Sequence, residues 1–579
     1  MQGLSRIVAT HLAGRVDKRP RVIYNWFMKK LLSVLIIALV CATMALAGCN
    51  AQPVGTPFVG EAQVDANVLS WPAQEGAESY SVRVLYDARN GYEVPVRGTT
   101  YPLSLYHEGT YTLLVRAKTA DGYTAYSAPV TYVVDKDVPV TPTEDESIVL
   151  RGDGTKDSPL EIYTGKELAT IKSGKARNED GTERQLYYRL MADIDLAHAE
   201  WTSIGTHSES FEGIFDGNGH TVSNWVQTKS YDTNDYQVDG LFGHATNAII
   251  VNLTVRDFAI DPGQINYTVS IGGLVGSGTN VVVENCHAVG SITVNRTLES
   301  SSKVRIGMII GHASQNSTQH TRIERCTAYG TIDARYALVY AGGIVGVSSS
   351  SRNDFLNCYA DVDVTAFGTA ANTSANGAFA YAGQLAGYLS DVGEFDGCVG
   401  VGHAQAGARD GTRVENVGQG VIGATFRSSS TGAGGIRFTN VYFDYEALGL
   451  SLGEDFPDEA SLAEYYALGG NIHQQYRYTT VYARTRAELG DPALVEGLDM
   501  DVWQIVDGEL SLGSYHSEFY TVTYQVGDEI IGTQVVLKGQ PATCPFSYEG
   551  TEYVFLRWDY DDAGIQADTT IYAIIRQGE

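Results

Sequence analysis

A glycine-bounded motif recurs through the middle of this 579-residue chain. It reads Gly272-Gly273-Leu274-Val275-Gly276, Gly307-Met308-Ile309-Ile310-Gly311, Gly342-Gly343-Ile344-Val345-Gly346 and Gly383-Gln384-Leu385-Ala386-Gly387, with an earlier variant at Asp239-Gly240-Leu241-Phe242-Gly243. Start-to-start spacings are 33, 35, 35 and 41 residues. Each later copy is followed by a short β run ending in cysteine, at Cys286, Cys326, Cys358 and Cys398. A fixed period with two or three short strands per unit means a solenoid, because no unit can bury its apolar side chains alone. Stacking lets each strand hydrogen-bond to its equivalent in the next coil, about 4.8 Å away. The expected fold is therefore all-β. A right-handed parallel β-helix spans residues 148–513, with glycines where the chain turns a corner or needs φ > 0.

These repeats resemble the GLUG repeat family. The residues ahead of them are similar to the usual opening of such helices: Gly152-Asp153-Gly154-Thr155, Asp193-Ile194-Asp195-Leu196, Trp201-Thr202-Ser203-Ile204-Gly205 and Phe215-Asp216-Gly217-Asn218-Gly219-His220. Thr164 with Glu167 reads as a capping box for a short helix that would close one end. The resemblance departs where Met308 and Gln384 replace the second glycine, and residues 404–436 are weakly patterned.

Two smaller β modules flank the repeats. Residues 61–136 alternate apolar and polar through Leu69-Ser70-Trp71, Ser79–Val84 and Tyr111–Ala117, the pattern of a small antiparallel sandwich. The layout resembles a fibronectin type III domain, with Trp71 and Tyr111 as core aromatics. A Pro/acidic stretch at 137–147 reads as an extended linker. Residues 514–579, with Tyr520–Tyr524, Gly532–Val536 and Phe555–Trp558, resemble the Listeria–Bacteroides repeat of bacterial surface proteins.

The N-terminal residues 1–48 read as a targeting segment and stand outside the fold reasoning. Lys29-Lys30 precedes an apolar run from Leu31 to Leu46, too short to span a bilayer comfortably. The run ends in Leu46-Ala47-Gly48-Cys49, which resembles a bacterial lipoprotein signal. That resemblance implies a lipid on Cys49, Met28 as the true start with Met1 to Phe27 upstream of it, and a tether over 49–60. Two acyl chains anchor stably where one binds only marginally. The expected location is the bacterial cell surface, on the outer face of the cytoplasmic membrane.

Beyond residue 48 the chain carries 33 basic and 67 acidic residues, a net charge of −34. Such a surface repels nucleic acid and bare anionic membrane. It admits cations such as calcium, although no motif supports a calcium site and no cofactor is expected. No Cys-x-x-Cys and no zinc-spaced Cys/His cluster occurs. The four repeat cysteines read as a ladder of buried free thiols, since stacked Cβ vectors run parallel rather than toward each other.

No catalytic residue is assigned. The surface candidates are Asp193 and Asp195, which both face outward if Ile194 is core, and Asp216, Asn218 and His220 in one glycine-rich turn. Either set suits a cation or acid/base work on a sugar, and both coincide with the opening scaffold of the repeats. Neither His-Glu-x-x-His nor a credible Gly-x-Ser-x-Gly elbow occurs. Arg151-Gly152-Asp153 spells the integrin tripeptide but overlaps a turn that the fold explains. Tyrosines such as Tyr231, Tyr236, Tyr329, Tyr336, Tyr340 and Tyr359 could line the coil exterior as flat platforms for sugars or peptides.

The expected protein is a lipid-anchored rod, lifted by the sandwich and tipped by the last module. Its expected work is non-catalytic binding of glycans or surface proteins. A polysaccharide lyase or glycoside hydrolase on the same scaffold and an inert stalk are the alternatives. The identity of the ligand and the oligomeric state are not written in the residues.

Overall fold

The computed structural model describes residues 57–577, with interruptions of which 135–147 is the longest. Leu46, Ala47, Gly48 and Cys49 lie outside the described residues. The chain is almost wholly β, and its middle is a parallel β-helix. Ten short strands stack in parallel on one face, from Leu160–Ile162 through Tyr187–Leu190 and Ile214–Asp216 to Arg437–Thr439 and Arg477–Tyr478. In register they set Tyr188, Phe215, Ile250, Val283, Ile323, Phe355, Phe395 and Phe438 one above another, all buried. The rings of Phe355 and Phe395 stack with centroids 4.5 Å apart. This column supplies much of the burial that no single coil could achieve alone.

A second face carries the long strands Ile249–Ile260, Val282–Asn295, Thr327–Tyr336 and Tyr359–Gly368. Their inward residues include Ile292, Ile332 and Val364 in register. The glycine motif links the strands of a third sheet, pairing Val275, Ile310, Val345 and Ala386 in line.

The motif glycines lie at or beside the bends between strands of the third sheet, but apart from Gly240 they do not take positive φ. Corners with positive φ fall instead on Asn252, Asn285, Arg325, Asn357 and Asn440, with Gly397 at the same level. Asparagine tolerates this region because its short side chain bonds locally. The last glycine of each motif is required by close approach. A Cβ on Gly311 would lie 2.6 Å from the Ile271 nitrogen, one on Gly346 2.4 Å from the Ile306 nitrogen, and one on Gly387 2.5 Å from the Ala341 nitrogen. Where the second glycine is replaced, Met308 enters the core and the wholly buried Gln384 donates to the carbonyls of Gly402 (2.8 Å) and Asp444 (3.0 Å).

The ladder cysteines are free and buried. Each Sγ faces the carbonyl two residues before it and a carbonyl of the preceding coil, as Cys398 does with Asp396 and Phe355. Burial pushes the Cys286 thiol up to about 12. Alkylation of the native protein followed by peptide mass spectrometry is expected to leave all four unmodified, and denaturant to expose them together. Labelling of any one of them in the native protein would show a break in the tube.

A short helix, Gly165–Ala169, closes the first coil, with Leu168 in the core and the Thr164 hydroxyl accepting from the Glu167 amide. The Glu167 carboxylate takes the Tyr163 amide at 2.8 Å. At the far end the helix Glu459–Tyr466 brings Ala463 against the core.

The N-terminal module packs two antiparallel sheets around Leu69, Trp71, Tyr80, Val82, Tyr111 and Val115, and its core continues into Tyr163 and Ala192 of the first coils. After Arg484 the chain leaves the stack. The helix Arg486–Leu489 and the hairpin Trp503–Val506/Glu509–Leu512 fold back over Tyr359, Val399, Val401 and Tyr442. The final module is a four-stranded sheet in which Phe519–Val526 pairs in parallel with Thr569–Gln577. Phe519 and Leu537 pack on Tyr187, Ile214 and Val251, and Lys156 pairs with Asp568 at 3.1 Å. The last module therefore does not tip the rod: it sits beside the first coils, near the N-terminal sandwich.

Candidate functional site

Ile194 is core and Asp193 is exposed beside it. Asp193 Oδ1 accepts from the Thr221 amide at 2.9 Å and lies 3.1 Å from His220 Nδ1. The two candidate sets thus meet in one pair. The His220 hydrogen bond leads the causes holding the Asp193 carboxyl below its usual range. Asp195 turns along the surface, and its Oδ1 accepts from the Ala197 amide at 2.8 Å and from Asn224 Nδ2 at 3.0 Å.

Asp216 is not a surface residue. It is 2% exposed, and four donors converge on it. The Tyr187 hydroxyl and Arg189 Nε each reach Oδ2 at 3.0 Å. The Asn218 amide and Asn252 Nδ2 reach Oδ1 at 2.9 and 3.0 Å. Both of its oxygens are thus taken up by donors of the fold. Asn218 takes φ 52° and donates from Nδ2 to the Leu190 carbonyl at 3.3 Å, so its side chain belongs to the turn. Among the described residues no group of three or more His, Cys, Asp or Glu side chains is placed to hold a metal ion.

The tyrosine platform is corrected for the residues that can be placed. Tyr336 is inside, its hydroxyl donating to the Tyr267 carbonyl at 2.8 Å. Tyr340 is buried against Tyr381 and Tyr388, at 5.7 and 5.2 Å between centroids. Tyr359 lies under Trp503 of the returning hairpin, with Tyr329 beside it. These rings are taken up in packing, which gains more from their area than solvent contact does. Tyr231 and Tyr236 lie outside the described residues.

The integrin-like tripeptide is also engaged in the fold. Asp153 Oδ1 accepts from the Thr155 amide at 2.9 Å, and the Arg151 guanidinium lies 4.5 Å from the Tyr163 ring centre.

Sequence reasoning missed the asparagine column at the corner between the first two faces. Asn252 donates to Asp216, and Asn285 Nδ2 donates to Asn252 Oδ1 at 3.0 Å. The signal was present as asparagine directly before the ladder cysteine, in Asn285-Cys286 and Asn357-Cys358.

No family model matches the chain. Halomucin of Haloquadratum walsbyi is 31% identical over 183 residues, which is 29% of this chain and 2% of that protein. A putative Gly-rich membrane protein of Evansella cellulosilytica is 27% identical over 146 residues, 24% of this chain and 15% of that one. The chain thus spans a small part of either relative. Among solved structures, an IgA1 protease aligns with 64% of this chain and 29% of its own at TM-score 0.27 and 13% identity. Pectate lyase Pel3 from Pectobacterium carotovorum aligns with 65% and 91% at TM-score 0.13 and 10% identity. At such scores neither bears on function. Among the described residues no helix is long and apolar enough to cross a membrane.

Proposed function

We propose that this chain is a surface-displayed, non-catalytic binding protein, anchored through a lipid on Cys49 and engaging glycans or surface proteins of a host or neighbouring cell. The observation that carries this reading is the fate of Asp216. The one deeply buried carboxylate of the candidate set is taken up by four donors of the fold, which leaves the Asp193–His220 pair. A surface of repeated coils suits many weak contacts whose avidity accumulates. The names of the two relatives, a halomucin and a membrane protein, agree with an envelope location.

The test is a glycan and mucin array probed with residues 61–579, with and without a chelator. Binding to a defined set of spots is expected, and loss with chelator would add calcium to the reading. Silence on every spot overturns it. The anchor is tested separately: Cys49→Ser is expected to move the protein from the membrane fraction to the medium.

The competing reading is a polysaccharide-active enzyme, favoured by the half-exposed imidazole of His220 beside Asp193. Turnover of any acidic polysaccharide that His220→Ala abolishes would replace the binding reading with that one.

A further inference from the structure

The segment joining the hairpin to the last module runs back along the asparagine corner and is held there by polar contacts. Asn252 reads both backbone groups of Ser517: the Ser517 amide donates to Oδ1 at 2.7 Å, and Nδ2 donates to the Ser517 carbonyl at 3.2 Å. One coil along, Asn285 Nδ2 donates to the Tyr515 carbonyl at 2.9 Å. Arg325, one coil further, lies 4.1 Å from the centre of the Tyr515 ring. The buried Ser517 hydroxyl donates to Glu284 Oε1 at 2.8 Å. Two residues on, Phe519 meets Tyr187 edge-on at 5.2 Å. Alternate residues of an extended segment are thus gripped by successive coils.

The grip is unusual in its chemistry. Three of its contacts read strap backbone, which ties it to register, and the rest read the side chains of Tyr515, Ser517 and Phe519. Its one carboxylate, Glu284, is 3% exposed, is hydrogen-bonded by the Ser517 and Tyr515 side chains, and has no cation bonded to it in a described contact. The groups facing Glu284 are the Ser517 and Tyr515 side chains on the strap, Glu324 one coil on with Arg322 bonded to it, and Asp216 two coils back with Arg189 bonded to it. Arg325 is engaged with Tyr515, while His516 and Glu518 on the strap are exposed.

We propose that residues 514–519 form a latch holding the C-terminal module against the first coils, closed while Glu284 carries its proton and released when Glu284 ionises. In the closed form the Ser517 and Tyr515 side chains of the strap lie against this carboxyl. Burial leads the causes that push Glu284 above the usual carboxylate range, and the neighbouring Glu324 adds to it; the Ser517 and Tyr515 hydrogen bonds and the Arg322 charge pull the other way without reversing it. Released, Glu284 faces water and returns toward an ordinary glutamate near about 4.3. The sign follows: the closed form binds the proton more tightly, so closure is fully favoured below the ordinary value. It weakens as pH rises through the raised one. Each pH unit that separates the two values changes the closing equilibrium about tenfold. Opening would free the asparagine corner and leave the module, with Ile530, Leu556 and Tyr572 exposed on it, held to the coils by Leu537 and the Lys156–Asp568 pair alone among the contacts described above. This inference concerns the strap and stands whether or not the binding reading does.

Hydrogen exchange with mass spectrometry on the full mature chain, corrected for intrinsic rates, tests it between about pH 4.5 and 8. Protection of peptides covering 514–519 is expected to fall with rising pH, by about tenfold for each pH unit between the ordinary and the raised value, while the sheet amides of 520–577 stay protected. Glu284→Gln is expected to hold that protection flat across the range. Asn252→Ala is expected to lose it at every pH. Protection of the wild-type strap that does not change with pH overturns the proposal, whatever the variants do. So does a Glu284→Gln profile that follows wild type, or an Asn252→Ala strap that stays protected.

Discussion

Gly346→Val is expected to abolish cooperative folding of the coiled region, with a cost on the order of 4 kcal/mol or more. The new Cβ would lie 2.4 Å from the Ile306 nitrogen and 2.5 Å from the Gly311 carbonyl oxygen. Both neighbours are backbone in an adjacent coil, so no side-chain rotation relieves the clash. Relief requires the third sheet to part from the coil it stacks on, and that separation breaks ladder bonds at every level nearby. Two controls separate this cause from ordinary glycine effects. A Cβ on Gly453 meets nothing within 4 Å and needs no positive φ, so Gly453→Ala should be near neutral. Gly219 sits at φ 78° with open space around it, so Gly219→Ala should cost about 1 kcal/mol from backbone strain alone. Circular dichroism melts of the three variants check the order. A Gly346→Val protein that melts with wild type would mean that the third sheet does not pack on its neighbour's backbone.

The same glycines show how far the residues alone could be read. Their spacing, with a cysteine-terminated strand after each, is enough to require stacked coils, because burial of Val283, Ile323 and Phe355 is impossible otherwise. The alternation through Asp193, Ile194 and Asp195 tied the two carboxylates to one side of the strand but left open which side is core, and the structure puts Ile194 there. What a one-dimensional pattern hides is contact between distant segments. Tyr359 reads as an exterior strand residue until Trp503, which lies far along the chain, folds over it. The strap at 514–519 follows no repeat, and its partners Asn252 and Glu284 belong to other coils. Asp216 was legible as a turn residue but not as a buried one. Its burial depends on Tyr187 and Arg189 from the previous coil and Asn252 from the next. The motif glycines were expected at corners or at positive φ, glycine's two common uses. Here the asparagines took positive φ, and the glycines answer to the distance between neighbouring backbones.

Asp216→Ala is expected to destabilise the first coils by about 3–5 kcal/mol, the range for removing one partner of a buried ion pair. Four donors lose their acceptor together: the Tyr187 hydroxyl, Arg189 Nε, the Asn218 amide and Asn252 Nδ2. Arg189 is half-buried, so its uncompensated charge leads the cost. Asp216→Asn keeps the shape but turns one acceptor into a donor and removes the charge, so a smaller loss is expected. The neighbouring candidates should behave differently. Asp193→Ala and His220→Ala disturb an exposed pair and should cost under about 1 kcal/mol each. Asn252 links Asp216 to Ser517, so Asp216→Ala should also loosen the strap, seen as faster exchange of residues 514–519 at a temperature where the coils remain folded. Denaturant titration with exchange read at both places separates the two effects. If Asp216→Ala leaves stability untouched while Asp193→Ala or His220→Ala unfolds the first coils, the carboxylate that holds this end of the tube together has been misassigned. Asp216 would then return to the groups free for chemistry.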